Sequence, residues 1–162
     1  MNPPTDSSAP FLERKRWLLI CPPLFFFWAI ANLDKLGVSV IAANDAFLQQ
    51  MGLIGKAAEI GSMMSAFTLT YGISSIFWGY FVDRSGARKA AILGIVLWIV
   101  SCLIAAWAGS YDQILLSRLI LGVGEGMIFS VTNKYISAWF HPREIGKAQA
   151  SWMYGTYLGP AL

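Results

Sequence analysis

Long apolar runs decide what this chain can fold into. Four of them, at about 17–43, 59–82, 90–108 and 114–140, reach the roughly 20 residues that an α-helix needs to cross the hydrocarbon core of a bilayer. A fifth begins near Ala148 and continues to Leu162. Barrel strands need only about ten residues and alternate in polarity, which these runs do not. A soluble domain carries about 25% charged residues. Here 13% are charged and 56% are hydrophobic, more apolar surface than 162 residues can hide in a water-soluble fold. The expected fold is an all-α integral membrane protein with four full transmembrane helices and an incomplete fifth. The last run has about fifteen residues and closes on GTYLGPAL with no terminating signal, so the sequence reads as part of a longer protein.

Residues 1–16 (MNPPTDSSAPFLERKR) form a polar, turn-rich tail, and 17–162 hold the spans. The basic residues before Trp17 and the Ala29-Ile30-Ala31 triplet imitate a signal peptide. However, the apolar pattern resumes after Asp34-Lys35 as LGVSVIAA, so Trp17–Ala43 reads as one span. Basic residues are unequally shared between the two sides. Arg14, Lys15 and Arg16, then Arg84, Arg88 and Lys89, then Arg143 and Lys147 fall on one side, whereas the opposite loops hold Lys56 alone. This bias places the N-terminus in the cytoplasm. The net charge of +3 is spread over loops and argues against a nucleic-acid partner. The lipid bilayer is the evident partner.

Cys21 and Cys102 lie inside apolar runs and read as packing residues. No metal-ligand set, phosphate-binding loop or nucleophile triad is present, so no catalytic residue, metal or cofactor is expected. The glycines of LGVGEG fit a tight helix contact. Along the second span Ser65, Thr68, Gly72, Ser75 and Gly79 recur in steps of three and four, a small-residue face of the kind that lets helices approach closely in lipid. Tyr71 adjoins that face. The third span carries no charge and reads as a scaffold or lipid-facing helix.

Ionisable side chains inside a span are costly, by about 2.5–3.5 kcal/mol on insertion scales, and face a bundle interior or a wet cavity. Asp34, Lys35, Arg118, Glu125 and Lys134 all fall inside spans. Glu125 is about a dozen residues into its run, or about 18 Å along a helix, near the midplane. Asp34 is about nine residues, or about 14 Å, from the outer end of its own. Two deep acids on different helices suggest a shared polar cavity. Burial favours the neutral form of a carboxyl group and a nearby cation favours the charged form, so such acids are suited to exchanging protons. A cation beside them, Lys35, suits an anionic substrate. Arg118 shares the face of Glu125, whereas Lys134 points away and reads as a snorkelling residue.

The charged stretch GYFVDRSGARKA, Gly79–Ala90, resembles the loop between the second and third helices of the major facilitator superfamily, roughly G-x-x-x-D-R-x-G-R-R. Gly79, Asp83, Arg84, Gly86 and Arg88 carry the match, with Lys89 following, and Ala87 stands where the first of two paired basic residues is usual. In that superfamily the loop helps control the switch between inward-open and outward-open states. SRLILGVGEGMIFSVTNKYISAWFHPREIGKA resembles, more narrowly, the fourth helix and following loop of its anion:cation symporter family. Arg118, Gly122, Glu125, Trp139, Phe140 and Glu144 carry that match. NLDKLGVSV resembles the family's Y-x-D-R motif, with Asp34 at the acid, Lys35 at the usual arginine and Asn32 at the usual tyrosine; Ser130 replaces a common proline.

The resemblance implies the N-terminal part of a twelve-helix carrier built of two halves, of which the C-terminal half is the missing partner. It implies a secondary active transporter in the bacterial inner membrane, taking up a small organic anion such as a sugar acid or aromatic carboxylate together with H+. By matching position, Asp34 and Glu125 take protons and Lys35 and Tyr71 bind substrate. Two alternatives stand beside it. GTYLGP, with Gly155, Gly159 and Pro160, resembles a fifth-helix motif of drug:proton antiporters. A non-transporting membrane scaffold is the other.

Overall fold

A computed structural model describes residues 9–157. Among these the chain is helical with short connections, and no strand occurs. The helices are α1 (Ala9–Ala42), α2 (Asp45–Gln50), α3 (Ala57–Ser85), α4 (Ala87–Ala106), α5 (Tyr111–Glu125), α6 (Ile128–Trp139) and α7 (Ile145–Met153). Four stretches are long and apolar enough to cross a membrane: Lys15–Gly37, Ala57–Ser85, Ala87–Ala106 and Tyr111–Trp139. The four expected spans are thus present. Helix α7 covers the start of the fifth run, whose last residues, 158–162, lie outside the described residues.

The elements depart from the sequence reading at four places. Helix α1 begins at Ala9, well before the apolar run, and passes through Pro22 and Pro23. The expected loop at 44–58 contains α2, capped where the Asn44 side chain accepts from the Phe47 amide at 3.0 Å. The charged stretch 83–89 is not a loop. Helix α3 runs to Ser85 and α4 starts at Ala87, so Gly86 alone separates them. Its φ of 88° and ψ of 152° belong to a region that essentially only glycine occupies. Finally, the fourth span is interrupted at Gly126–Met127. There the Trp78 indole N–H donates to the Val123 carbonyl at 2.7 Å, taking the acceptor that a regular helix offers to residue 127.

The chain forms two compact units, residues 33–135 and the stretches flanking them on either side. In the larger unit α5 lies against both α3 and α4, and its glycines set the distance. A β-carbon on Gly122 would stand 2.1 Å from Thr70 Oγ1 and 2.6 Å from the Phe67 carbonyl. One on Gly126 would stand 2.1 Å from Ser74 Oγ. Gly124 points the other way and meets the Gly94 carbonyl at 3.0 Å. The Ser74 hydroxyl donates to the Gly122 carbonyl and Ser101 to the Ser117 carbonyl, stitching the same faces. LGVGEG is therefore a double helix contact, as its glycines suggested. The small-residue face of α3 is not the surface that makes it: Gly72 has no atom within 4 Å of where its β-carbon would be. At the far end of the bundle Leu53, Met63 and Ile114 are buried together beneath Phe47, Leu48 and Met51.

In the smaller unit Arg16 holds Glu144 at 2.8 Å and donates to the Trp139 carbonyl at 3.4 Å. Trp17 meets Phe140 edge to face, as Trp28 does Trp152. Gly155 lets the last turn approach α1, since a β-carbon there would lie 2.6 Å from the Phe25 carbonyl. This gives Gly155 a packing role; Gly159 and Pro160 lie outside the described residues.

The glycine contacts make a paired prediction. Gly122→Ala forces α3 and α5 apart and lowers stability by about 1–3 kcal/mol, the usual cost of overpacking. Gly72→Ala, with open space around it, leaves stability unchanged or slightly raised. Thermal unfolding of the two detergent-solubilised variants decides it, and equal destabilisation would disprove the close contact.

Candidate functional site

The site begins with two neighbouring residues on α1. Successive side chains on an α-helix diverge by about 100°, so Asp34 and Lys35 address different surroundings within the larger unit.

Lys35 turns to α3 and α5. Its Nζ lies 3.7 Å from Glu125 Oε2 and 5.0 Å from the centre of the Tyr71 ring, which stacks on Phe67. Glu125 occupies the last turn of α5, held between the two glycine contacts, and is completely buried (0% exposed). Among the described residues neither of its carboxyl oxygens has a hydrogen bond. A charge-assisted N–H···O bond is about 2.7–2.9 Å long, so the 3.7 Å pair with Lys35 is attraction at a distance, without the directional bond that would offset desolvation. A carboxyl group placed this way is poor scaffolding. It costs stability, with the Lys35 ammonium as the nearest described cation.

Asp34 turns to α4. Its Oδ2 accepts from the Trp98 indole N–H at 2.5 Å, and its backbone carbonyl accepts from Arg118 Nη1 at 3.3 Å. Asp34 and Arg118 line a cavity of about 340 Å³ with Ser101, Cys102, Ser117 and Leu121. Arg118 is 9% exposed, and its Nε has no hydrogen-bond partner among the described residues. Cys102, expected as packing, is exposed and opens onto this cavity.

The structure thus brings Lys35, Tyr71 and Glu125 together and sets Asp34 and Arg118 beside them in a second environment. Asp34 borders the described cavity, and Glu125 is not among the residues that line it. Trp98 was not singled out from sequence, because the third apolar run, about 90–108, carries no charge to point to it. The available signal was its register: Ala90, Gly94, Trp98 and Ser101 recur at near-helical steps and form the buried face of α4. Lys134, read as a snorkelling residue, reaches the exposed Asp83 at 2.9 Å, which ties α6 to the end of α3. Elsewhere in the charged stretch, Arg84 donates to the Tyr80 hydroxyl at 2.6 Å, and Gly79 faces Ser130. Arg88 and Lys89 are exposed in the first turn of α4.

A sequence model of the Major Facilitator Superfamily matches residues 18–162. The chain belongs to this superfamily. Curated proteins that it resembles include named transporters. A probable L-galactonate transporter of Escherichia coli is 32% identical over 86% of this chain and 30% of its own length. A hexuronate transporter of Bacillus subtilis is 30% identical over 86% of this chain and 32% of its own length. A D-galactonate transporter from another Escherichia coli strain is 27% identical over 99% of this chain and 36% of its own length. The chain thus spans about a third of the length of these relatives. The major facilitator loop motif coincides with the Gly86 break and the Asp83–Lys134 pair, both local features of the larger unit.

If Lys35 is what makes an ionised Glu125 tolerable, removing it leaves a buried carboxyl group without its counter-charge. Lys35→Met then lowers the unfolding temperature, and adding Glu125→Gln to that variant restores much of the loss. Thermal unfolding of the two singles and the double forms the cycle. Strictly additive losses would mean that the two side chains do not interact.

Proposed function

We propose that this chain is the N-terminal part of a proton-coupled symporter that takes up a small organic anion, of the sugar-acid or related carboxylate class. The single observation that supports it most is Glu125: wholly buried, without a hydrogen bond among the described residues, and 3.7 Å from one cation. The names of the relatives, carriers of galactonate and hexuronate, supply the substrate class.

The geometry suggests how proton and substrate are coupled. Lys35 faces Glu125 and has one ammonium to offer. With Glu125 ionised, the ammonium is drawn to it. When Glu125 takes a proton the attraction falls, and Lys35 is released to meet the carboxylate of a substrate. Tyr71 bounds the same space, its ring face stabilising the ammonium and its hydroxyl serving as a hydrogen-bonding group. Lysine is a compact point charge with rotatable donors, suited to shifting between two anions, where an arginine fork favours one bidentate partner. Asp34, held by Trp98, is the second proton site. The charged stretch from Gly79 to Lys89 serves the switch between inward-open and outward-open states. The basic side chains at Arg14–Arg16, Arg84–Lys89 and Arg143–Lys147 set the N-terminus in the cytoplasm of a multi-pass protein in the bacterial inner membrane. The full carrier supplies the second half against which this one rocks.

The test is substrate-driven proton movement in proteoliposomes of the full-length carrier, with galactonate, hexuronates and aromatic acids as probes and Na+ present or absent. External alkalinisation on adding one of these acids, independent of Na+ and abolished in Glu125→Gln, is the expected result. Alkalinisation that persists in Glu125→Gln would remove the proton role from α5. Proton release in place of uptake would turn the assignment to an antiporter.

A further inference from the structure

A cavity of about 580 Å³ lies away from the candidate site. It is a groove on the outside of the larger unit, between α3 and α4. Ile73, Phe77, Tyr80 and Phe81 line it from α3, and Leu93 and Leu97 from α4. The polar groups that touch it are spent elsewhere. The Trp78 indole donates to Val123, Ser74 to the Gly122 carbonyl, and Thr70 to its own helix. The groove therefore offers a guest hydrocarbon contact and nothing else along its length.

Three features identify the guest. The first is length: from Thr70 to Phe81 the groove follows eleven residue steps, about 16 Å at 1.5 Å per residue, close to one leaflet of a hydrocarbon core about 30 Å thick. The second is charge. Tyr80 closes one end, and the Arg84 guanidinium sits on it, bonding its hydroxyl at 2.6 Å and lying 5.9 Å from the ring centre. Arg88 and Lys89 open α4 at the same end, while the neighbouring acid, Asp83, is engaged by Lys134. That end is a cationic rim at headgroup level. The third is texture. Helices meet in lipid through small residues, and α3 carries such a face elsewhere, at Gly72 and Ser75. The groove face is bulky and exposed, with Ile73, Phe77 and Tyr80 all more than half accessible.

We propose that this groove is a binding site for an anionic phospholipid, one acyl chain lying between α3 and α4 and the phosphate held by Arg84. The site is independent of the transport reading. It places a lipid contact on the same charged segment that links the two helices, so the membrane's anionic lipid content acts directly on the Gly86 junction.

Native mass spectrometry of the purified chain tests it, with phosphatidylglycerol and phosphatidylcholine of identical acyl chains as probes. Phosphatidylglycerol is expected to be retained more than phosphatidylcholine. In Arg84→Gln that preference falls about fivefold, as for the loss of one basic side chain beside an anionic headgroup. Leu93→Trp, which fills the groove and leaves the rim intact, reduces retention of both lipids. Equal retention of the two lipids by the unaltered chain, an unchanged preference in Arg84→Gln, or unchanged retention in Leu93→Trp would each overturn the proposal. So would a lipid-free dimer in which the groove residues are protected from labelling.

Discussion

The close approach of three helix backbones is the constraint on which the larger unit depends. Gly122 and Gly126 admit α3 on one side of α5, and Gly124 admits α4 on the other. In lipid there is no hydrophobic force to bring helices together, so dispersion contact and interhelical hydrogen bonds must suffice, and both need short distances. The glycines supply those distances. The side-chain hydroxyls of Ser74 and Ser101 then reach carbonyls on α5 directly. Glu125 sits between two of these contacts, so its depth and direction follow from backbone packing and not from any bond of its own.

That arrangement explains how a carboxyl group can remain buried with so little support. Glu125 closes α5, and the chain is interrupted just beyond it, where Trp78 takes the Val123 carbonyl. Lys35 approaches from α1 to 3.7 Å. Asp34, one residue earlier, is fastened differently, by the Trp98 indole and against Arg118. Two acids on two helices thus have unlike surroundings: one bonded and bordering a cavity, the other sealed and opposed by a single ammonium. Unlike surroundings are what separate the tasks of two otherwise similar carboxyl groups.

Much of this was legible in the sequence, for reasons that differ by residue. The spans were readable because lipid demands long apolar runs. Asp34, Lys35 and Glu125 were conspicuous because charge is expensive there. Their mutual geometry was only half readable. That Lys35 meets both Glu125 and Tyr71 follows from tertiary packing, as does the division of the two acids between separate environments. Trp98 escaped notice because a tryptophan in an uncharged span has several uses, and the indole that finds Asp34 looks no different in sequence from one at the lipid interface. Gly86 was visible as a motif residue, but its role as the whole connection between α3 and α4 was not. The helix continues through Asp83–Ser85 despite their polarity, since a span's end is set by hydrogen bonding and not by hydropathy.

The ion pair between Arg16 and Glu144 has a consequence for how the chain is made. Its partners are 128 residues apart, as are Trp28 and Thr156. At about 5–20 residues per second, Glu144 leaves the ribosome some 6–26 s after Arg16. Through that interval the first helix has none of these late-arriving partners. Whatever shelters it then, whether insertion machinery or lipid alone, must release it when the residues around Glu144 emerge. Assembly of the smaller unit is thus timed by translation, and slowing synthesis between these segments prolongs the stage at which the first helix is most open to mispairing or proteolysis.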